Sequence, residues 1–257
     1  MKPKQTLRER LTAGEPLIFS WSSMPTSLST EVFADGPFEA CCVDMQHGYA
    51  GYSEFLAMTA PVFAAGKPLM VRIPLDRWDF AARALDAGAS AVISPMINTV
   101  EDARKFVEAT KFPPIGSRSF GAYRNKAGAN PADKGFLAKL NDANLTLAMI
   151  ETQQALDNLD AICATDGLDG VFVGPFDLSI SLTHGEGPIN PASDMIIENL
   201  KVVADTARKH KMFAGIFAAN PEFAKKYIEL GYQFLALSND MTYLEHASKA
   251  AFAQLAD

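Results

Sequence analysis

Leu85-Asp86-Ala87-Gly88-Ala89-Ser90-Ala91-Val92-Ile93-Ser94 reads as the end of a helix, then a glycine, then a short apolar strand. A helix often stops on a left-handed residue just past its last turn, and glycine fits there because it has no Cβ to crowd. The same order recurs at Ala65-Gly66 before residues 69–73 and at Leu230-Gly231 before residues 234–237. Outward from these three units, short β-rich apolar runs lie at 17–21, 40–43, 69–73, 91–94, 145–150, 170–173, 213–217 and 234–237. Runs this short and this continuously apolar suit parallel strands covered on both faces. Helical patterns with readable starts separate them. Thr99-Val100-Glu101-Asp102 sets a hydroxyl cap before acidic residues, and Asn220-Pro221-Glu222 sets a cap, a first-turn proline and an acid together.

Eight strands separated by helices in 257 residues match a (β/α)8 TIM barrel, which typically needs about 250 residues. The expectation is an α/β chain forming one barrel domain over residues 1–257, with an additional C-terminal helix. A doubly wound open sheet is the rival, but its glycine-rich phosphate turn is absent; after the first strand the chain reads Ser22-Ser23-Met24-Pro25. One connection, from about residue 111 to 144, is unusually long and carries Arg118 and Arg124 among small residues. It reads either as a loop near an anionic ligand or as a solvated excursion.

Composition narrows the function classes. The formal charge of −7 argues against a nucleic-acid or anionic-membrane partner, and no apolar run approaches the roughly 20 residues that span a bilayer. The charged start leads into no apolar segment, so no signal peptide is expected. Cys41, Cys42 and Cys163 are odd in number and sit in apolar runs, which points to reduced core thiols and a cytoplasmic location.

In such a barrel the residues at the C-terminal tips of the strands face the active-site mouth. Those tips read Val43-Asp44-Met45-Gln46-His47, Val71-Arg72-Ile73, Ile150-Glu151-Thr152 and Val173-Gly174-Pro175-Phe176-Asp177. Glu151 and Asp177 offer oxygens to a hard divalent cation such as Mg²⁺, Mn²⁺ or Co²⁺. The adjacent keto and carboxylate oxygens of a 2-oxo acid would chelate that cation, which as a Lewis acid would stabilise an enolate. Arg72 suits the enolate or the substrate carboxylate. His47 suits a base, with Asp44 holding its ring. Each residue also has a plainer reading. Glu151 would cap a helix beginning near Gln153, Asp177 would cap a turn at Leu178, and Arg72 would form a strand-end ion pair. His184 reads as a rim-loop residue, and His210 and His246 as exposed helix positions. The methionines and Phe217 read as core. Lys67 precedes its strand, on the wrong side of the barrel for a Schiff base.

Taken together, Asp44-Met45-Gln46-His47-Gly48, Val71-Arg72, Ser94-Pro95-Met96-Ile97, Ile150-Glu151-Thr152 and residues 171–179 resemble the HpcH/HpaI aldolases, metal-dependent pyruvate aldolases. The resemblance implies Glu151 and Asp177 as metal ligands, and Gly174, Pro175, Phe176 and Asp177 as part of the pyruvate site. It implies Arg72 as the enolate contact and His47 with Asp44 as the proton-handling dyad. Asp86 matches an aspartate that approaches a neighbouring subunit's site, and the C-terminal helix over residues 242–255 would serve a homo-oligomer, a hexamer or a trimer. Gln46 stands where the family commonly has Glu, Met149 where some members have Gln, Ser119 where Gly is common, and Phe176 where Ala is frequent. The expected activity is reversible cleavage of 4-hydroxy-2-oxo acids to pyruvate and an aldehyde. A decarboxylase or CoA-thioester lyase on the same scaffold, or a non-catalytic 2-oxo-acid-binding member, is the alternative.

Overall fold

The computed structural model describes residues 5–121, 124 and 130–255. All eight expected strands form: β1 (Leu17–Ser22), β2 (Ala40–Asp44), β3 (Leu69–Arg72), β4 (Ala91–Ser94), β5 (Leu145–Ile150), β6 (Gly170–Val173), β7 (Phe213–Ala218) and β8 (Phe234–Leu237). Neighbours in sequence pair in parallel, and β8 pairs back onto β1, so the sheet closes into a barrel. The helices that cover its first half are α1 (Leu7–Thr12), α2 (Ser27–Asp35), α3 (Tyr52–Ala65), α4 (Trp78–Asp86), α5 (Val100–Thr110) and α6 (Phe136–Ala143). The second half carries α7 (Gln153–Asp157), α8 (Leu159–Cys163), α9 (Pro175–Leu182), α10 (Asp194–Lys209), α11 (Pro221–Glu229) and α12 (Asp240–Ala253).

The two-residue period of the strands divides the core in two. Phe19, Cys42, Met70, Ile93, Leu147 and Phe172 point inward and fill the barrel, while Val43, Val71, Val92, Ile150, Val173 and Ile216 point outward onto the helices. Leu7 and Leu11 of α1 join the interior cluster from below, closing the N-terminal end. The inward series, continued to the upper tips, reaches Trp21, Asp44, Arg72, Glu151, Gly174 and Phe217. Position along each strand therefore decides what faces the mouth.

The local signals act as expected. Gly66, Gly88 and Gly231 take φ of 71°, 105° and 101°, so each supplies the left-handed turn that reverses chain direction from helix to strand. The Thr99 hydroxyl accepts from the N–H of Asp102, and the Asn220 side chain from that of Phe223. The three cysteines are buried and free.

The arginine-bearing connection differs from the first of its two readings. It runs from the end of α5 through α6 to the start of β5, and so lies at the barrel's N-terminal end, away from this chain's own mouth. Arg118 is buried there, stacked 4.6 Å over the Phe112 ring, and it donates to Asp86 Oδ1 at 2.6 Å. Arg124 donates to the Thr59 hydroxyl at 3.0 Å. Ala122, Tyr123 and Asn125 of this loop lie outside the described residues.

Candidate active site

Asp44 and Arg72 are side by side because β2 and β3 pair in register at these two residues. Their side chains meet as a fork. Arg72 Nε donates to Asp44 Oδ1 at 2.8 Å and Nη2 to Oδ2 at 2.7 Å. Both groups are buried, with relative exposures of 2% for Asp44 and 8% for Arg72. A buried charge is costly unless paired, and a two-toothed guanidinium–carboxylate contact is the geometry that offsets it best. Burial alone would raise the Asp44 carboxyl's pKa, but the Arg72 fork and the N–H groups of Gln46 and His47 outweigh it and hold it below the usual range. Arg72 also sits over the Trp21 ring, 4.9 Å from its centroid, so the guanidinium is held on a face as well as an edge.

Glu151 follows β5 and is 2% exposed; its Oε1 accepts the N–H of Met96 at 2.8 Å. Asp177 sits in the first turn of α9, on the exposed rim. Gly174 lies between them. A Cβ built there would stand 2.6 Å from Glu151 Oε2 and 3.4 Å from Asp177 Oδ2, so both carboxylates converge on one point beside a residue without a side chain. Burial, then the nearby Asp177 charge, pushes the Glu151 carboxyl up to about 7, against the Met96 amide and Arg72, which pull it down. Two carboxylates turned toward each other, one of them buried, are electrostatically unfavourable unless a proton or a cation lies between them. The corner fits a hard divalent cation on that ground. Among the described residues no group of three or more His, Cys, Asp or Glu is placed to hold a metal ion. A cation here would thus have two protein carboxylates and would leave positions for water and substrate.

The plainer readings of these residues fare unequally. Thr152, not Glu151, caps α7, accepting from the N–H of Ala155, and α9 begins at Pro175 with Gly174 at the cap position, so Asp177 is not a cap either. Arg72 is an ion pair, as its plainer reading held, but one that lines a cavity of about 480 Å³ at the mouth with His47, Asp177 and Gly174.

Comparison with known proteins places the whole barrel in one family. The family model described as HpcH/HpaI aldolase/citrate lyase matches residues 18–247. The chain belongs to that family. A relative from Salmonella arizonae, named 4-hydroxy-2-oxo-heptane-1,7-dioate aldolase, is 33% identical over 98% of this chain and 94% of its own length. Among solved structures, an HpcH/HpaI aldolase from Desulfitobacterium hafniense superposes with a TM-score of 0.87 at 25% identity, covering 97% of this chain and 96% of that one. An HpcH/HpaI aldolase/citrate lyase family protein from Burkholderia cenocepacia gives 0.85 at 27% identity, covering 98% and 99%.

As a member of the HpcH/HpaI family, the chain departs from its sequence reading in two places. The first concerns His47. Asp44 Oδ1 accepts the backbone N–H of Gln46 at 3.0 Å and of His47 at 3.3 Å, but the His47 ring makes no hydrogen bond among the described residues. Asp44 therefore fixes the turn that carries His47 and clamps Arg72; it does not hold the imidazole. Asp86, read as approaching a neighbouring subunit's site, ends α4 at the barrel's N-terminal end, away from this chain's own mouth, and pairs with Arg118. The second concerns Phe217. Read as core, it lines the cavity with Trp21, its ring centroid 5.7 Å from that of Trp21 and edge-on. Alternation along β7 from Phe213 through Gly215 was the available signal.

Other mouth residues had no motif to mark them. Tyr49, Met241 and Glu245 come from the turn after β2 and from α12, and they line the cavity because those segments follow strand tips. At the family's points of departure, Gln46 Oε1 is buried without a hydrogen-bond partner among the described residues, and a Cβ at Gly174 would stand 3.2 Å from Met149 Cε. Pro175 is buried at the start of α9 and Phe176 is 38% exposed on the rim. His184 is exposed in the loop after α9, His210 pairs with Asp160 at 2.9 Å, and His246 is exposed on α12. Lys67 donates to the Gly36 carbonyl, away from the mouth. No helix of the described residues is long and apolar enough to cross a membrane.

Proposed function

We propose that the chain is a divalent-metal-dependent aldolase that reversibly cleaves 4-hydroxy-2-oxo acids to pyruvate and an aldehyde. The observation that carries this is the convergence of Glu151 and Asp177 on the bare face of Gly174, where Gly174 and Asp177 themselves line the cavity with Arg72 and His47. A cation held by the two carboxylates supplies Lewis-acid polarisation of the 2-oxo acid when bound. Arg72, locked by Asp44 through Nε and Nη2, keeps Nη1 for the substrate carboxylate or the enolate oxygen. His47, exposed at the rim beside it, moves the proton of the 4-hydroxyl. Trp21 and Phe172 floor the cavity with stacked rings, centroids 5.7 Å apart, and keep water from beneath the reacting carbons. The relative's name, a heptane-1,7-dioate aldolase, supports the reaction type. A thioester reading is less well supported, since Arg72 is the one guanidinium lining the cavity among the described residues, which leaves none for a carrier's phosphates once the oxo acid is held.

The test is proton exchange at pyruvate C3 in D₂O, followed by NMR. The expected result is loss of the methyl signal with Mg²⁺ or Mn²⁺ and none with EDTA. Folded protein that exchanges nothing with any divalent cation would falsify the aldolase reading. If that protein still binds pyruvate, a non-catalytic binding role takes its place.

Gly174→Ala is a sharper probe of the corner. The new methyl would overlap Glu151 Oε2, and the Met96 amide behind Glu151 leaves it little room to yield. Mn²⁺ affinity by calorimetry should fall at least about tenfold, a loss of roughly 1.4 kcal/mol, with the melting temperature little changed. Unchanged Mn²⁺ affinity would remove Glu151 or Asp177 from the ligand set.

We also infer a homo-oligomer, a trimer or hexamer, in the cytoplasm. Asp240 is the one buried residue recorded for α12, whereas Leu244, Phe252 and Leu255 are 60%, 74% and 81% exposed. A helix of 14 residues with no buried apolar face is marginal alone in water, so a second copy is the natural cover. Such packing would also let Asp86 approach a neighbour's mouth. Light scattering coupled to gel filtration should give a multiple of 27.8 kDa; a monomer at micromolar concentration would exclude the arrangement.

A further inference from the structure

Beside its charged groups the cavity carries a set of large apolar side chains. Above the Asp44–Arg72 fork, Phe217 from β7 packs edge-on against Phe176 from the start of α9, with ring centroids 6.3 Å apart. Met241 on α12 and Tyr49 after β2 complete the collar, and three of these four side chains are open to solvent: Phe176 at 38%, Met241 at 46% and Tyr49 at 71%. Large apolar groups left exposed around a pocket mouth mark what the pocket holds. The cavity, about 480 Å³, is also far roomier than a three-carbon oxo acid requires.

The charges at this level are of one sign. Glu245 on α12 lines the cavity, Asp177 lies on the rim, and among the described residues the lining holds no basic side chain besides Arg72 and His47. Arg72 is paired with Asp44. Glu245 accepts from Lys249, which lies outside the cavity lining, and both side chains are more than half exposed, so solvent screens the pair and Glu245 repels an incoming anion only modestly. A carboxylate brought against Phe176, Phe217 and Met241 would lose its water without gaining a counter-ion from those side chains.

We propose that the acceptor half of this site takes an uncharged aldehyde with an apolar or aromatic body, seated on Phe176, Phe217 and Met241, and disfavours aldehydes that end in a carboxylate. This rests on the aldolase reading above. The step is balanced as an addition. Pyruvate C3 gives up a proton, its electron pair forms the bond to the aldehyde carbon, and the aldehyde oxygen takes a proton, with nothing oxidised or reduced. The product is a 4-hydroxy-2-oxo acid with one carboxylate and an apolar tail.

The test uses the full chain with Mn²⁺ and pyruvate, and compares butanal with succinic semialdehyde. Both have four carbons, and they differ in ending as a methyl or a carboxylate. Benzaldehyde is the aromatic probe. The expected kcat/KM is at least about tenfold higher for butanal than for succinic semialdehyde, and benzaldehyde at least matches butanal. Glu245→Lys should shift the butanal-to-semialdehyde ratio toward the anionic aldehyde by about tenfold or more, and Phe217→Ala should lower the benzaldehyde-to-butanal ratio. A wild-type ratio near one or below it overturns the proposal, as does proton exchange at pyruvate with no turnover of any of the three aldehydes; in both cases the pyruvate half stands. Absence of that exchange removes the aldolase reading itself, and the acceptor proposal with it.

Discussion

Arg72→Lys should lower kcat/KM for aldol cleavage by about 10³-fold, and Arg72→Ala by at least as much. The lysine keeps the charge but loses what the structure uses. Arg72 spends Nε and Nη2 on the two oxygens of Asp44, and its plane lies over Trp21. That leaves Nη1 as a donor whose direction is set by three contacts. A single ammonium cannot pair both oxygens of Asp44 and still point a fixed donor into the cavity. Removing one donor aimed at a developing oxyanion typically costs about 3–4 kcal/mol, the equivalent of 10²–10³ in rate. Loosening Asp44 adds to this, because Asp44 also holds the turn that carries His47. The loss should appear chiefly in kcat if Arg72 acts on the enolate, and chiefly in KM if it only anchors the substrate carboxylate. Steady-state kinetics at saturating Mn²⁺ decide this, and a lysine variant within threefold of wild type would remove Arg72 from the reaction.

The barrel was readable because its signals are local. Each of the eight apolar runs became a strand with bounds shifted by a residue at most, since a buried parallel strand must be apolar on both faces. Gly66, Gly88 and Gly231 were readable for a similar reason, as a left-handed turn excludes most side chains. The strand tips were readable once the barrel was in hand, and Asp44, Arg72, Glu151 and Asp177 do meet in one region. What local pattern does not encode is who pairs with whom. Asp44 lies three positions from His47 in sequence but shares a register line with Arg72, and register is a property of two strands. The long connection illustrates the same limit. Its arginines suggested an anionic ligand, yet a segment that leads from a helix into a strand must lie at the N-terminal end of the barrel. Phe217 and Glu245 escaped notice because an aromatic residue in a strand and an acid on a helix are ordinary; only the closed barrel turns them toward the mouth.

Glu151→Gln should abolish metal-dependent proton exchange at pyruvate, by 10³-fold or more, and should at the same time stabilise the metal-free protein above neutral pH. Two opposite effects from one atom follow from its surroundings. In the unfolded chain this carboxyl ionises near 4.5, whereas in the fold burial and Asp177 hold its proton until about pH 7. Between those values the folded chain binds more protons than the unfolded one, so this group's contribution to stability falls as pH rises through the window and stays low above it. The full penalty is on the order of 3 kcal/mol. Glutamine carries no such charge, so with EDTA present the variant should melt above the wild type by several degrees at about pH 8, given ~2–4 °C per kcal/mol for a chain of this size. Near pH 5 the two should nearly coincide. A divalent cation reverses the order, because it binds the ionised wild-type corner and not the amide, and ligand that binds only the folded state stabilises it. Thermal melts of both proteins across this pH range, with EDTA and with Mn²⁺, separate the contributions. Parallel curves in EDTA would show that Glu151 ionises normally in the fold. An Mn²⁺-induced shift of equal size in both proteins would place the cation elsewhere, and the corner beside Gly174 would then be a structural acid pair without a metal.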